Sequence, residues 1–162
     1  MSLAEWCRWL EYTPVSTAIA ESIWLFPLIE GSHILAMPLS VGMIVIVDLH
    51  LLGLTLVGSG AARVFNEMLR WSKVGFAIMF VTGGLLFMCH AGRAYDNPFF
   101  RAKMIFLVLL GLNAAVYQVV FYPQMPQWNA GRTPSGAKFC AVLSLIVWIG
   151  VIVCGRTMAY QF

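Results

Sequence analysis

Charged side chains are scarce in this sequence of 162 residues. Asp, Glu, Lys and Arg together make up 10% of it, against about 25% in a typical soluble domain, and hydrophobic residues make up 60%. So few charges cannot cover a surface that is in contact with water. The composition therefore excludes an ordinary soluble protein and predicts a membrane protein.

Runs of basic residues are also absent. Ten Lys and Arg residues and seven Asp and Glu residues are spread thinly along the chain, for a formal net charge of +3. A protein that binds nucleic acid needs a basic patch that follows the phosphates. We therefore expect no nucleic acid among the partners of this protein.

The four cysteines form no recognisable motif. The sequence contains neither C-x-x-C nor C-x-x-C-H. This absence argues against a thiolate zinc site, a thioredoxin-type motif and covalently attached haem. Three of the cysteines lie in or beside apolar segments, where we expect them to pack as small apolar side chains.

Long apolar stretches occur four times along the chain. A helix needs about 20 apolar residues to cross roughly 30 Å of hydrocarbon, and lipid offers no partner for an unpaired backbone group. The predicted helical spans cover residues 27–58, 74–91, 103–122 and 137–155. Since the first span is longer than a bilayer requires, it must tilt, protrude or bend at Pro38.

The segment before the spans, residues 1–26, mixes aromatic and aliphatic side chains with Glu and Arg and is broken at Pro14. This pattern predicts one or two amphipathic helices in the membrane interface. A cleavable signal peptide fits poorly, because the small residues of Ala18-Ile19-Ala20 precede the apolar run. The predicted fold is an all-α membrane protein, with a four-helix transmembrane bundle over 27–162 behind an N-terminal interfacial helix.

The basic residues do not orient this bundle. With four spans, both termini and the second loop share one side of the membrane. Each side then carries five Lys or Arg residues, so the positive-inside rule favours neither orientation.

Ionisable residues inside a span are costly, so they are candidates for function. Glu30 and Asp48 are 18 residues apart, or five α-helical turns, which predicts that they share one face of the first span. His33 lies on a neighbouring strip, so the three residues predict a polar stripe that faces the bundle. His50 lies about 100° away from His33 around an ideal helix, and we favour a structural role for it.

His90 lies at the end of the second predicted span. Because antiparallel helices return to the same level, His33 and His90 are expected at one depth. Two facing imidazoles are the axial ligands of a six-coordinate haem b. The alternative is that the two histidines only form hydrogen bonds between helices.

Four further residues would complete such a haem site. Gly83 shares a face with His90, and its missing side chain would leave room for a porphyrin edge. Three cations at the same end of the bundle would meet the haem propionates: Arg93, Arg101 and Lys103. The structural alternative is that the arginines anchor span ends at the interface and the glycine permits close helix packing.

Nine methionines raise the possibility of a Cu(I) site, because thioether, thiol and imidazole ligands suit that ion. Met37 and Met43 on the first span and Met88-Cys89-His90 on the second are the candidates. Methionine is also common in apolar packing, and these residues form no tight motif.

Sequence stretches over nearly the whole chain resemble a small family of bacterial inner-membrane proteins that is classified as a domain of unknown function. The stretches include Glu21-Ser22-Ile23-Trp24-Leu25-Phe26-Pro27-Leu28-Ile29-Glu30, His33-Ile34-Leu35, Val47-Asp48-Leu49, Thr82-Gly83, Asn97-Pro98-Phe99-Phe100-Arg101-Ala102-Lys103-Met104 and Gly155-Arg156. This resemblance implies a four-span bundle in the bacterial inner membrane and no established activity. More distantly, His33 and Lys103 are similar in placement to residues of CopD copper-resistance proteins and HemJ-type protoporphyrinogen oxidases, which are haem-linked membrane proteins.

The leading hypothesis is a haem b protein that passes electrons to or from a quinone or a partner protein. Two axial imidazoles leave no open position for oxygen chemistry, so we expect an electron-transfer or accessory subunit more than a stand-alone enzyme. One alternative is a non-redox accessory or scaffold subunit that docks beside a membrane or periplasmic partner or forms a homo-oligomer. The other is a CopD-like copper-handling protein.

Overall fold

The computed structural model describes residues 2–55, 61–127 and 133–160. The predicted end of the first span at residue 58 lies outside these ranges. Two short helices come first, α1 (Leu3–Glu11) and α2 (Pro14–Ala20). The remaining α-helices are α3 (Leu25–Met37), α4 (Met43–Leu51), α5 (Ala61–Cys89), α6 (Ala91–Asp96), α7 (Pro98–Val116) and α8 (Ser135–Ala159). A π-helical segment (Tyr117–Phe121) and a 3-10 helix (Tyr122–Gln127) continue α7.

Four apolar helical segments are long enough to cross a membrane, which confirms the predicted fold class. They are Leu25–Leu51, Asn66–Cys89, Pro98–Met125 and Ser135–Met158, called the first to fourth spans below. Many of their large apolar side chains face outwards: Leu35 is 76% exposed, Phe80 81% and Val119 75%. In a bilayer these side chains contact lipid.

The helices of the second and third spans begin earlier in the sequence than predicted. Helix α5 starts at Ala61, whereas the predicted span begins at residue 74. Its polar residues, such as Glu67 and Arg70, are exposed, so they extend the helix beyond the apolar part without burying a charge. Helix α7 starts at Pro98 because the Asn97 side chain caps it, accepting hydrogen bonds from the backbone N–H groups of Phe99 and Phe100.

The first span is interrupted by a π-helical segment, Pro38–Gly42, at the predicted irregularity. Pro38 has no backbone N–H to donate into the α-helical ladder. A π turn holds more residues than an α turn, so it rotates everything beyond it around the helix axis. Glu30 is consequently exposed, whereas Asp48 is only 6% exposed. The prediction that these two residues share one face is therefore wrong.

The first two spans cross in very close contact at Gly75. A Cβ atom built on this glycine would lie 2.6 Å from the backbone nitrogen of Ser40, closer than two such atoms can approach. Beside the crossing, the Ser72 hydroxyl donates to the Ser40 carbonyl over 3.1 Å, and both serine side chains are completely buried. This crossing sets how far α5 is shifted along the first span.

The interior of the bundle consists of two apolar clusters. One contains Val47, Leu51, Tyr117, Met125, Ala137, Cys140 and Ala141, near the loops that follow the first and third spans. The other contains Val41, Leu110, Val147, Trp148 and Val151, near the middle of the bundle. All four cysteines are free thiols and buried, which agrees with the packing role expected for the three in or beside apolar segments.

The N-terminal helices pack against the end of the second span, and α1 is amphipathic as predicted. Ser2 and Glu5 form a capping box at the start of α1. Glu11 accepts a hydrogen bond from the Gly92 backbone N–H over 2.8 Å, and the Ser16 hydroxyl donates to the Met88 carbonyl over 2.8 Å. On the outer face of α1, Trp6 and Trp9 are 45% and 58% exposed, which suits insertion into the membrane interface.

Candidate functional site

The imidazole of His33 contacts the second span directly. Its Nδ1 atom lies 2.9 Å from the Thr82 hydroxyl oxygen. That hydroxyl lies 2.7 Å from the Ile78 carbonyl, one turn earlier in α5, and donates its only proton there. When the hydroxyl proton lies on the Ile78 carbonyl, Thr82 accepts from His33, and in this arrangement Nδ1 carries the proton and Nε2 carries the lone pair.

Gly83 lies directly under this imidazole. A Cβ atom at position 83 would be 3.1 Å from His33 Cε1 and 3.6 Å from Nδ1. The space left by the missing side chain is thus filled by the histidine ring itself. The expectation that this space would admit a porphyrin edge does not match the structure.

Lys103 of the third span and Cys154 of the fourth span lie at the same site. The Lys103 ammonium is close enough to interact electrostatically with both His33 and Cys154. A Cβ atom on Gly155 would lie 3.7 Å from Lys103 Nζ. All four spans therefore contribute to one polar cluster, which we call the His33 site: His33, Thr82, Gly83, Lys103, Cys154 and Gly155.

Neither Thr82 nor Cys154 was predicted from sequence to belong to this site. In the sequence, Thr82 directly precedes Gly83 and Cys154 directly precedes Gly155, so each of the two residues lies beside a glycine within a helix. Both signals are weak by themselves, because Thr and Cys are common in helices that pack together in membranes.

His90 lies at a different depth from His33. It follows the last residue of α5, and its ring packs edge-on against Phe26 with 5.5 Å between ring centroids. Phe26 precedes His33 by seven residues of α3, or about 10 Å along the helix axis. The expected equal depth of the two histidines is therefore wrong by about two turns, since His33 pairs with Thr82 instead.

The three predicted propionate-binding cations do not converge either. Lys103 points into the bundle, whereas Arg93 and Arg101 are exposed. The Arg101 side chain is held by Tyr95: Nε donates to the Tyr95 carbonyl over 2.8 Å, and the guanidinium stacks 5.0 Å from the ring centroid. This arrangement makes Arg101 a stabilising contact between α6 and α7.

A second polar cluster lies toward the opposite end of the bundle, around Asp48. The Asp48 carboxyl forms a hydrogen bond with Ser144 of the fourth span, and Tyr117 of the third span lies close by. Its Oδ2 atom is buried and has no hydrogen-bond partner among the described residues. His50, two residues further on, donates from Nδ1 to the Thr55 carbonyl over 3.0 Å, which fits the structural role expected for it.

Among residues 2–55, 61–127 and 133–160, no three His, Cys, Asp or Glu side chains are placed to hold one ion together. The copper hypothesis therefore gains no set of three His, Cys, Asp or Glu ligands from these residues.

These features define a multi-pass helical membrane protein whose four spans meet at one polar site. Residues 24–161 match the model of a family described as a family of unknown function, DUF6644. The chain belongs to this family. A search of curated proteins returns no match, and neither does a search of solved structures.

Proposed function

We propose that this protein binds haem b through His33 and passes single electrons to or from a quinone or a partner protein, in a bacterial inner membrane. The observation that carries the proposal is the hydrogen bond between His33 Nδ1 and Thr82. A histidine that ligates iron is normally held in this way, with its second nitrogen donating to a fixed acceptor.

The donor chemistry of the His33 site suits a protein ligand of haem iron. Thr82 holds the imidazole in the tautomer whose Nε2 lone pair is available for a metal, and the Gly83 backbone supports the ring. Among the described residues, the charged or ionisable groups that interact with the Lys103 ammonium are His33 and Cys154, neither of them a carboxylate, so Lys103 would attract the negative charge of a propionate.

A haem b at this site would supply reversible one-electron transfer. His33 would fix the iron and set its affinity, and Lys103 would orient the acidic edge of the ring. The sequence favours His90 as the second ligand, but two histidines of antiparallel helices can hold one haem only if they lie at the same depth in the bundle. At about 10 Å from His33 along the helix axis, His90 does not meet this condition, so the proposal rests on His33 alone.

The test is an optical spectrum of the detergent-purified protein from haem-replete cells, dithionite-reduced minus oxidised, with the haem content measured as pyridine haemochrome. We expect about one b-type haem per chain. His33→Ala should lose the pigment, and His33→Gly should regain it when imidazole is added to the buffer. His50→Ala is the matched control, because it removes another histidine of the same span that is bonded to a carbonyl.

His90→Ala separates the two ligand assignments. If His33 is the ligand as proposed, His90→Ala retains the haem. Loss of pigment in both His33→Ala and His90→Ala would instead support the pair of ligands predicted from sequence, His33 and His90. A colourless wild-type protein would refute haem binding and leave the accessory-subunit and copper hypotheses. Elemental analysis of the same sample would then distinguish those two.

A further inference from the structure

A cationic pocket opens at the other end of the bundle from the His33 site, where the second span begins and the third span ends. Its volume is about 340 Å³, and it is lined by Asn66, Leu69, Arg70, Lys73, Gln118 and Tyr122. We propose that this interfacial pocket binds the phosphate-bearing headgroup of an anionic membrane lipid.

The pocket wall on α5 is one continuous helix face. Positions 66, 69, 70 and 73 follow the i, i+3, i+4, i+7 spacing that brings side chains to the same side of a helix. Arg70 and Lys73 therefore project from this face one turn apart, and both are exposed. No acidic side chain is among the described residues that line the pocket. Arg70 and Lys73 are accordingly the charged residues of this lining, which suits an anion.

The polar groups of the pocket suit a phosphate as well. The Tyr122 hydroxyl donates to Asn66 Oδ1 over 3.0 Å, which ties the third span to the second. Because the Asn66 oxygen is occupied, the amide N–H groups are what this side chain offers to a ligand. Gln118 adds a second amide, so the pocket combines two cations with neutral donors, a set that phosphate oxygens accept.

The position in the membrane favours a lipid over a soluble anion. Asn66 is the first residue of the second span, and Tyr122 lies three residues before the end of the third. Leu69 and Tyr122 pack against the apolar cluster around Val47, so one wall of the pocket continues into the hydrophobic interior. Basic pockets between spans at this level bind acidic lipid headgroups, whose acyl chains remain in the bilayer.

The test uses the full-length protein in detergent and native mass spectrometry with phosphatidylglycerol and phosphatidylcholine in competition. We expect the wild-type chain to retain one phosphatidylglycerol in preference to phosphatidylcholine. Each basic residue near a headgroup contributes about fivefold to such binding, so Arg70→Gln with Lys73→Gln should reduce the preference by about 25-fold. Exchange of the two cations, Arg70→Lys with Lys73→Arg, should preserve it.

The matched control is Lys138→Gln with Arg156→Gln, which removes the same charge from exposed positions outside the pocket. This control should bind phosphatidylglycerol like the wild type. Equal loss in the control and the pocket variant would refute the site, because net charge alone would then explain the binding. Displacement of the lipid by millimolar inorganic phosphate, with no selectivity between the two lipids, would refute a lipid ligand and indicate a soluble phosphate compound.

Discussion

The imidazole of His33 rests on the backbone of Gly83, with 3.1 Å between His33 Cε1 and the place where a Cβ atom of residue 83 would be. Contact this close between a ring and a glycine means that the position of the histidine depends on the absence of a side chain. The same ring is held from the adjacent residue by the Thr82 hydroxyl.

Gly83→Ala should therefore displace the imidazole. We expect the haem content of the purified variant to fall, because the new methyl group competes with the ring for one position. Gly84→Ala is the control, since nothing lies within 4 Å of a Cβ atom there. Equal haem content in the two variants would show that Gly83 does not position His33.

Thr82→Val should weaken haem binding while leaving the shape of the site nearly unchanged. Val lacks the hydroxyl that accepts from His33 Nδ1, and loss of such an outer hydrogen bond costs about 10–100-fold in metal affinity. Thr82→Ser, which keeps the hydroxyl, should bind haem like the wild type. Titration of each apoprotein with haem measures the affinity of both variants. Unchanged affinity in Thr82→Val would show that Thr82 does not hold His33 for haem binding.

Gly75→Ala should destabilise the whole bundle. The added methyl group would have to displace the Ser40 backbone, which lies 2.6 Å from the Cβ position, and overpacking of this kind costs about 1–3 kcal/mol or more. Thermal unfolding followed by circular dichroism in detergent should show a lower Tm. Gly111→Ala, at a helix position with open space, should keep or raise the Tm because Ala favours helix more than Gly does.

Ser144→Ala should destabilise the protein through Asp48. The Ser144 hydroxyl bonds to a carboxyl group whose Oδ2 atom already has no partner among the described residues, and an unsatisfied buried polar group costs about 1–3 kcal/mol. Asp48→Asn keeps the size of the side chain and should be tolerated better. A Tm of Ser144→Ala equal to the wild type would show that this hydrogen bond contributes nothing measurable.

Part of the candidate site was predictable from sequence. His33 stands out because an ionisable residue within an apolar span is rare, and Lys103 stands out at the start of another span. The residues that His33 contacts on the second span could not be predicted. The directions of the helices predict that His33 lies beside His90. The hydrogen bond to Thr82 and the contact with Gly83 instead place His33 about two helical turns from His90.

The polar stripe predicted on the first span shows a similar limit of the sequence. Periodicity alone put Glu30 and Asp48 on one face, and it assumed an unbroken α-helix. The π-helical segment at Pro38–Gly42 rotates one half against the other, so Asp48 enters the bundle and Glu30 faces outwards. Pro38 indicated where the irregularity would occur and did not indicate its kind.

The sequence by itself determined that this chain is helical and how many times it can span a membrane. These properties follow from local composition, because each apolar segment must satisfy its own backbone hydrogen bonds in lipid. Only the tertiary structure decided which polar residues meet, since the relative shift of the spans depends on contacts between distant segments. The crossing of Gly75 and Ser40 and the π turn beside it set that shift, and they place His33 at Thr82 and Gly83 rather than at His90.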